Sequence, residues 1–153
     1  MTFRKATSAD IAEIVRLLAN DPLGALREDL RHPKKYEQAF EIIARDDNQE
    51  LIVVEEQGEI IGTFQLTYIQ YLTHQGSIRA QIESVRVRDD HRRKGICEKM
   101  FRWAIARARE KGAHLLQLTS DKKRPDAIRF YQKLGFVASH EGFKLALTSR
   151  MAM

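Results

Sequence analysis

TFRKA, at residues 2–6, has its apolar residues at Phe3 and Ala6 and is a candidate first strand. In DIAEIVRLLAN, Ile11, Ile14, Leu17 and Leu18 recur at helical spacing. Ser8 just upstream is a candidate cap, because a hydroxyl there can satisfy a free first-turn N–H. Pro22 and Gly24 interrupt the pattern in DPLGALREDL, which resumes as a short helix, and KKYEQAFEIIARD predicts another. ELIVVEE and EIIGTFQLTYIQ read as strands joined by a tight turn at QGE, and YLTHQGS reads as a loop. AQIESVRVR alternates with Ile82, Ser84, Arg86 and Arg88 on one face and Glu83, Val85 and Val87 on the other; apolar Ile82 leaves the choice of buried face open.

The second half continues with helices and strands in turn. Cys97, Phe101, Ala104, Ile105 and Ala108 form one apolar stripe, and Gly112 stops that helix. AHLLQLTS predicts a buried strand. Pro125 suits a first helical turn, Ala127, Phe130, Tyr131 and Leu134 form one face, and Gly135 terminates it. FVAS and GFKLAL predict two final short strands. The sum is a mixed sheet flanked by helices, an α/β (α+β) layered fold over 1–153 as a single domain.

Composition narrows the class. The 153 residues and 43% apolar content suit one packed core. Lys and Arg number 26 against 21 Asp and Glu, a net +5 that favours a local site for a small anion over a wrapped nucleic acid. No apolar run is long enough to span a bilayer and no signal peptide is evident, so the expectation is a soluble, cytoplasmic chain. Cys97 is the single cysteine and the five histidines are scattered, so neither a disulfide nor a metal site is expected.

One stretch carries specific chemistry. HRRKGIC, residues 91–97, stands where a strand gives way to a helix. A helix N-terminus has unpaired N–H groups and partial positive charge, which suits phosphate. Gly95 leaves the main chain open to close approach, and Arg92, Arg93 and Lys94 add charge. On the stretch alone, a solvated basic turn is the larger alternative. Neither a G-x-G-x-x-G nor a G-x-x-x-x-G-K-[ST] loop is present, which removes the common nucleotide-binding folds.

IESVRVRDDHRRKGIC followed by AIRFYQKLGF resembles the GNAT superfamily of acetyl-CoA-dependent N-acetyltransferases, over nearly the whole chain. The resemblance implies a mostly antiparallel central sheet, splayed between its two central strands where pantetheine inserts. It implies that Arg92, Arg93, Lys94, Gly95, Ile96 and Cys97 hold the coenzyme A diphosphate, with Cys97 standing where glycine or alanine is usual. Val87 and Val85 would offer backbone hydrogen bonds to pantetheine. Tyr131 would donate a proton to the leaving thiolate, and Glu83, expected half-buried, would serve as base for the amine. Arg124 stands where an asparagine is common in relatives, so Ser120, Asp121 or Arg124 itself is the candidate for that cofactor contact.

The acceptor pocket of such a fold would draw on DPLGALREDL and YLTHQGS, whose chargeable residues are Asp21, Arg27, Glu28 and His74. No acidic groove for a basic peptide is apparent, so the reading is acetyl transfer to a small primary amine by direct attack, without metal, nucleic acid or membrane. A homodimer is implied by relatives. The alternatives are a protein lysine or N-terminal acetyltransferase, and a non-catalytic module that binds acyl-CoA and reports through a partner.

Overall fold

A computed structural model describes residues 1–149. The chain divides into two compact units, Met1–Gln117 and Leu118–Met153.

The first unit is built on a five-stranded sheet. Strand β1 is Thr2–Lys5, β2 Gln49–Glu56, β3 Glu59–Gln70, β4 Ile78–Val87 and β5 Ala113–Gln117. The strands lie side by side in chain order. Every seam is antiparallel except β4–β5, which is parallel and is bridged by a helical crossover, as a parallel pair requires. Gln57 and Gly58 both adopt positive φ, 52° and 78°, the geometry of the tight two-residue hairpin between β2 and β3.

Helices cover both faces. Helix α1 is Ile11–Ala19, α2 Gly24–Arg27 and α3 Lys34–Arg45; α4 is the single turn Thr73–Gly76, α5 is Ile96–Glu110. Helices α1 and α3 pack on β2, β3 and β4. Helix α5 lies on the other face, where Met100 closes against Gly62 and Trp103 stacks on Phe3 at 5.5 Å and meets Phe64 edge-on. Phe64, Phe101, Ile52, Leu66 and Met100 are fully buried there. Each such side chain contributes about 1.5–3 kcal/mol of hydrophobic stabilisation.

Two local details differ from the sequence expectation. The cap before α1 is Thr7, not Ser8: the Asp10 carboxylate accepts from the Thr7 N–H at 2.7 Å and is itself held by Arg4. That long-range partner makes Asp10, rather than a serine hydroxyl, the group that fixes the chain entry. Strand β5 is not buried along its length, because it is the sheet's edge; His114 and Leu115 are exposed.

Glu50 on β2 is buried at 1% exposure beneath α5. Arg107 Nη2 donates to it at 2.5 Å and the Tyr68 hydroxyl at 2.8 Å, with Lys5 at 3.6 Å. Burial alone would push this carboxyl up. The hydrogen bonds from Arg107 and Tyr68 outweigh it and hold the group below the ordinary carboxylate range.

The second unit contains α6, Pro125–Lys133, with proline in its first turn as expected. Gly135 ends it at φ 96°. The two final strands expected at FVAS and GFKLAL do not form: 136–149 contains no strand. Val137, Phe143, Leu145 and Leu147 are each more than 80% exposed. Alternation is necessary for a strand but not sufficient, since its backbone groups also need a paired edge.

Candidate active site

The site begins with a defect in β4. Gln65 pairs with Glu83 and Thr63 pairs with Arg86, so Ser84 and Val85 together oppose the single residue Phe64. This is a β-bulge, and Ser84 takes a left-handed φ of 56° to make it. A bulge resets the two-residue alternation. Glu83 and Arg86 therefore share the α1/α3 face, where regular alternation places them on opposite faces. Glu83 is also exposed rather than half-buried, because the bulge lifts it to the rim of that face.

On its other side β4 loses its β5 neighbour shortly before the bulge. Pairing with β5 runs from Ile78↔Ala113 to Gln81↔Gln117 and stops. The edge of β4 from 82 to 87 is left without a β5 partner, and Val85 and Val87 lie on it. Such an edge presents main-chain N–H and C=O groups at strand spacing. An extended diamide such as pantetheine can occupy it as an added strand.

The turn after β4 leads into α5. Arg92 is an anchor of this turn: its guanidinium pairs with Asp89 at 2.8 Å and donates to the carbonyls of Val87 and Asn20, each at 3.3 Å. Asn20, at the end of α1, donates to Asp89 at 2.6 Å. Arg93 and Gly95 both have positive φ, 61° and 74°. Alternating left-handed residues turn successive N–H groups to one side, which forms an anion cradle ahead of a helix N-terminus. A Cβ at Gly95 would meet nothing within 4 Å, so the space in front of the cradle is open. Arg93 and Lys94 are exposed beside it, Ile96 is buried in the core and Cys97 is half-buried on the first turn of α5. The arrangement fits a diphosphate held by main-chain amides with flanking cations.

A groove opens on the Glu83 face. Its walls are Ile11, Ile14, Val15 and Leu18 of α1, and Ala39, Phe40 and Ile43 of α3, and its floor includes Thr63, Gln65 and Ser84. At the far end Arg86 is paired with Asp21 at 2.8 Å. Burial pushes the Asp21 carboxyl up, but the Gly24 N–H and Arg86 together hold it below its ordinary value. A side chain at Gly24 would overlap the Leu18 carbonyl, so only glycine lets α2 fold back against α1 here.

The other acceptor candidates are dispersed. Arg27 Nε donates to the Leu23 carbonyl at 3.2 Å, a contact within α2's own turn. Glu28 accepts from the Tyr36 hydroxyl at 2.8 Å and so ties α2 to α3. His74 lies in α4, at the start of β4 and ten strand residues from the cradle; at about 3.3 Å per residue the strand separates them. Its ring sits 5.1 Å from that of His114 and 5.6 Å from that of Tyr71. In the second unit, the Ser120 hydroxyl is buried without a hydrogen-bond partner among the described residues, which fits a group awaiting a ligand. Tyr131 is half-buried on α6, edge-on to Phe130 at 5.5 Å and to Phe136 at 6.2 Å.

The sequence reading missed Gln65, Thr63 and the Arg86–Asp21 pair. The available signal was the series Thr63, Gln65, Thr67, polar at alternate positions of an otherwise apolar strand. Among the described residues no group of three His, Cys, Asp or Glu side chains could hold a metal ion.

A bulged strand parting from its parallel neighbour and running into an amide cradle is the arrangement of an acyl-CoA-dependent transferase. Residues 12–136 match the model of the acetyltransferase (GNAT) family, and the chain belongs to that family. It is an N-acetyltransferase of that family, an acyltransferase. An aminoalkylphosphonate N-acetyltransferase of Salmonella typhimurium is 28% identical over 144 residues, spanning 94% of this chain and 90% of that protein. A structure described as a transcriptional regulator from Bacillus halodurans C-125 superposes with a TM-score of 0.91 at 50% identity, covering 95% of this chain and 99% of that one. A structure described as a predicted acetyltransferase with acetyl-CoA, from Clostridium acetobutylicum, has a TM-score of 0.75 at 22% identity over 95% and 96% of the two chains.

Proposed function

We propose that this protein transfers acetyl from acetyl-CoA to the primary amine of a small molecule, in one domain spanning 1–153. The observation that carries the reading is the bulge at Ser84, which sets the candidate base, Glu83, on the rim of a small groove. Acetyl-CoA supplies the activated thioester. Its diphosphate is assigned to the cradle of Arg92, Arg93, Lys94, Gly95, Ile96 and Cys97, its pantetheine to the main chain of Val85 and Val87, and a further contact to Ser120.

An alkyl ammonium has a pKa near 10.4 and must lose a proton before attack. Glu83, directly or through water, is assigned that role, and Tyr131 is assigned donation to the departing thiolate. Of the acceptor candidates, Asp21 pairs with Arg86, which shares its sheet face with Glu83, whereas Arg27 bonds within α2 and Glu28 ties α2 to α3. An aminoalkyl compound is a natural first acceptor, since the Salmonella relative carries that name. The reading includes a homodimer, supported by the exposed Phe143, Leu145 and Leu147, which a second copy would cover. A cytoplasmic location belongs to the same reading; no helix among the described residues is long and apolar enough to cross a membrane.

The test is thiol release from acetyl-CoA with a panel of amines, amino acids, polyamines and peptides. Turnover confined to small amines supports the reading, and turnover with peptides alone overturns it in favour of protein acetylation. A second reading is favoured by the name of the 50% identical structure, a transcriptional regulator. On that reading the chain binds acyl-CoA and reports it to a partner, and acetyl-CoA binds without turnover.

A further inference from the structure

The groove between α1, α3 and the sheet has a volume of about 110 Å³. Eight of its residues are apolar: Ile11, Ile14, Val15 and Leu18 from α1, Ala39, Phe40 and Ile43 from α3, and Leu51 from β2. The polar residues that line it are mostly engaged elsewhere. Thr63 donates to the Ile52 carbonyl at 2.8 Å, the Gln65 amide donates to Gln49 at 2.8 Å, and the Tyr36 hydroxyl donates to Glu28 at 2.8 Å. Each of these bonds goes to a residue outside the groove lining. Ser84 is the exception, and it sits at the bulge beside Glu83. A water inside would find few partners, whereas apolar cavities of about 150 Å³ stay dry and admit benzene.

We propose that this groove holds an apolar substituent of the acceptor, a linear or branched chain of about four to five carbons by comparison with that benzene-sized cavity. The acceptor is thus an amphiphilic amine, with its nitrogen at Glu83 and its hydrocarbon between α1 and α3. This rests on the small-amine reading above. Ala39 sets the size of the opening: it is exposed on α3 and contributes only a methyl to the wall.

The experiment measures kcat/KM for primary alkylamines from ethyl to hexyl, with ethanolamine and 2-aminoethylphosphonate as polar comparators. The expected result is a rise of at least tenfold from ethylamine to pentylamine, since each buried methylene is worth about 0.8 kcal/mol or roughly fourfold. Ala39→Phe abolishes the rise. Gln38→Phe, on the same helix but outside the groove, preserves it, and thermal unfolding checks that both variants fold. A flat series, a preference for the polar comparators, or an Ala39→Phe series like the wild type overturns the proposal. Pentylamine binding, read from the methyl NMR signals of Ile14, Val15 and Ile43, separates the two levels. Binding that Ala39→Phe removes, in a protein that turns over no amine, keeps the groove assignment and sinks the enzyme reading. No perturbation of those methyls at saturating pentylamine overturns the groove assignment itself.

Discussion

Gln65 on β3 stands directly across from Glu83 on β4, although only two positions separate Gln65 from Thr63 while three separate Glu83 from Arg86, Thr63's partner. That one-residue mismatch brings Glu83 and Arg86 to the same face of the sheet. If Glu83 is the base, Glu83→Gln lowers kcat by about 10²–10⁴, the ordinary range for such a group. Measured by thiol release, an unchanged kcat removes the role.

Tyr131→Phe tests the proton donor. It retains the ring that packs against Phe130 and Phe136 and deletes only the hydroxyl. Acetyl-CoA affinity is expected to hold while kcat falls by about 10²-fold or more. Equal losses in binding and turnover, measured by calorimetry and thiol release, point instead to packing.

Gly95→Leu tests the cradle. The left-handed φ of 74° makes any side chain there cost about 1–2 kcal/mol, and a Cβ there would meet nothing within 4 Å. The expected outcome is a modest drop in thermal midpoint with at least a tenfold weaker acetyl-CoA Kd. Unaltered affinity by calorimetry would contradict the assignment.

Glu50→Ala tests the buried ion cluster. Removing one partner of a buried pair costs about 3–5 kcal/mol when both are enclosed. Arg107 is 29% exposed and can rehydrate, so the lower end is expected. Because the folded Glu50 carboxyl is held below its ordinary value, its contribution is present above the unfolded pKa and fades as pH falls through the folded one. Urea unfolding of wild type and variant should therefore converge in strong acid. A constant gap down to the lowest pH where the fold persists would refute the linkage.

What the sequence revealed was local in origin. The HRRKGIC turn is legible because a glycine, a charge cluster and a switch of period all fall within a few residues. The β2–β3 hairpin and the end of α5 at Gly112 are legible for the same reason. The bulge was not, because Ser84 carries no mark of a left-handed residue; pairing with β3 imposes it from outside. Once it was missed, the face assignments after it in β4, those of Arg86 and Val87, shifted relative to Glu83. Glu50 looked like an ordinary strand end, since Arg107, its main partner, is 57 residues away. The final apolar segments looked like strands because sequence shows alternation and not whether a free edge receives it.

The strand order has a kinetic side. β2, β3 and β4 follow one another through short turns, so their seams close over small loops. The β4–β5 seam closes only after the α5 crossover has formed and docked, and longer loops close more slowly and at greater entropic cost. The gap assigned to pantetheine is therefore flanked by a seam that assembles after the β2–β3–β4 meander. In pulse-labelled hydrogen exchange during refolding, amides of Ala113–Gln117 are expected to gain protection after those of Ile60–Leu66; simultaneous protection would mean the crossover folds with the meander.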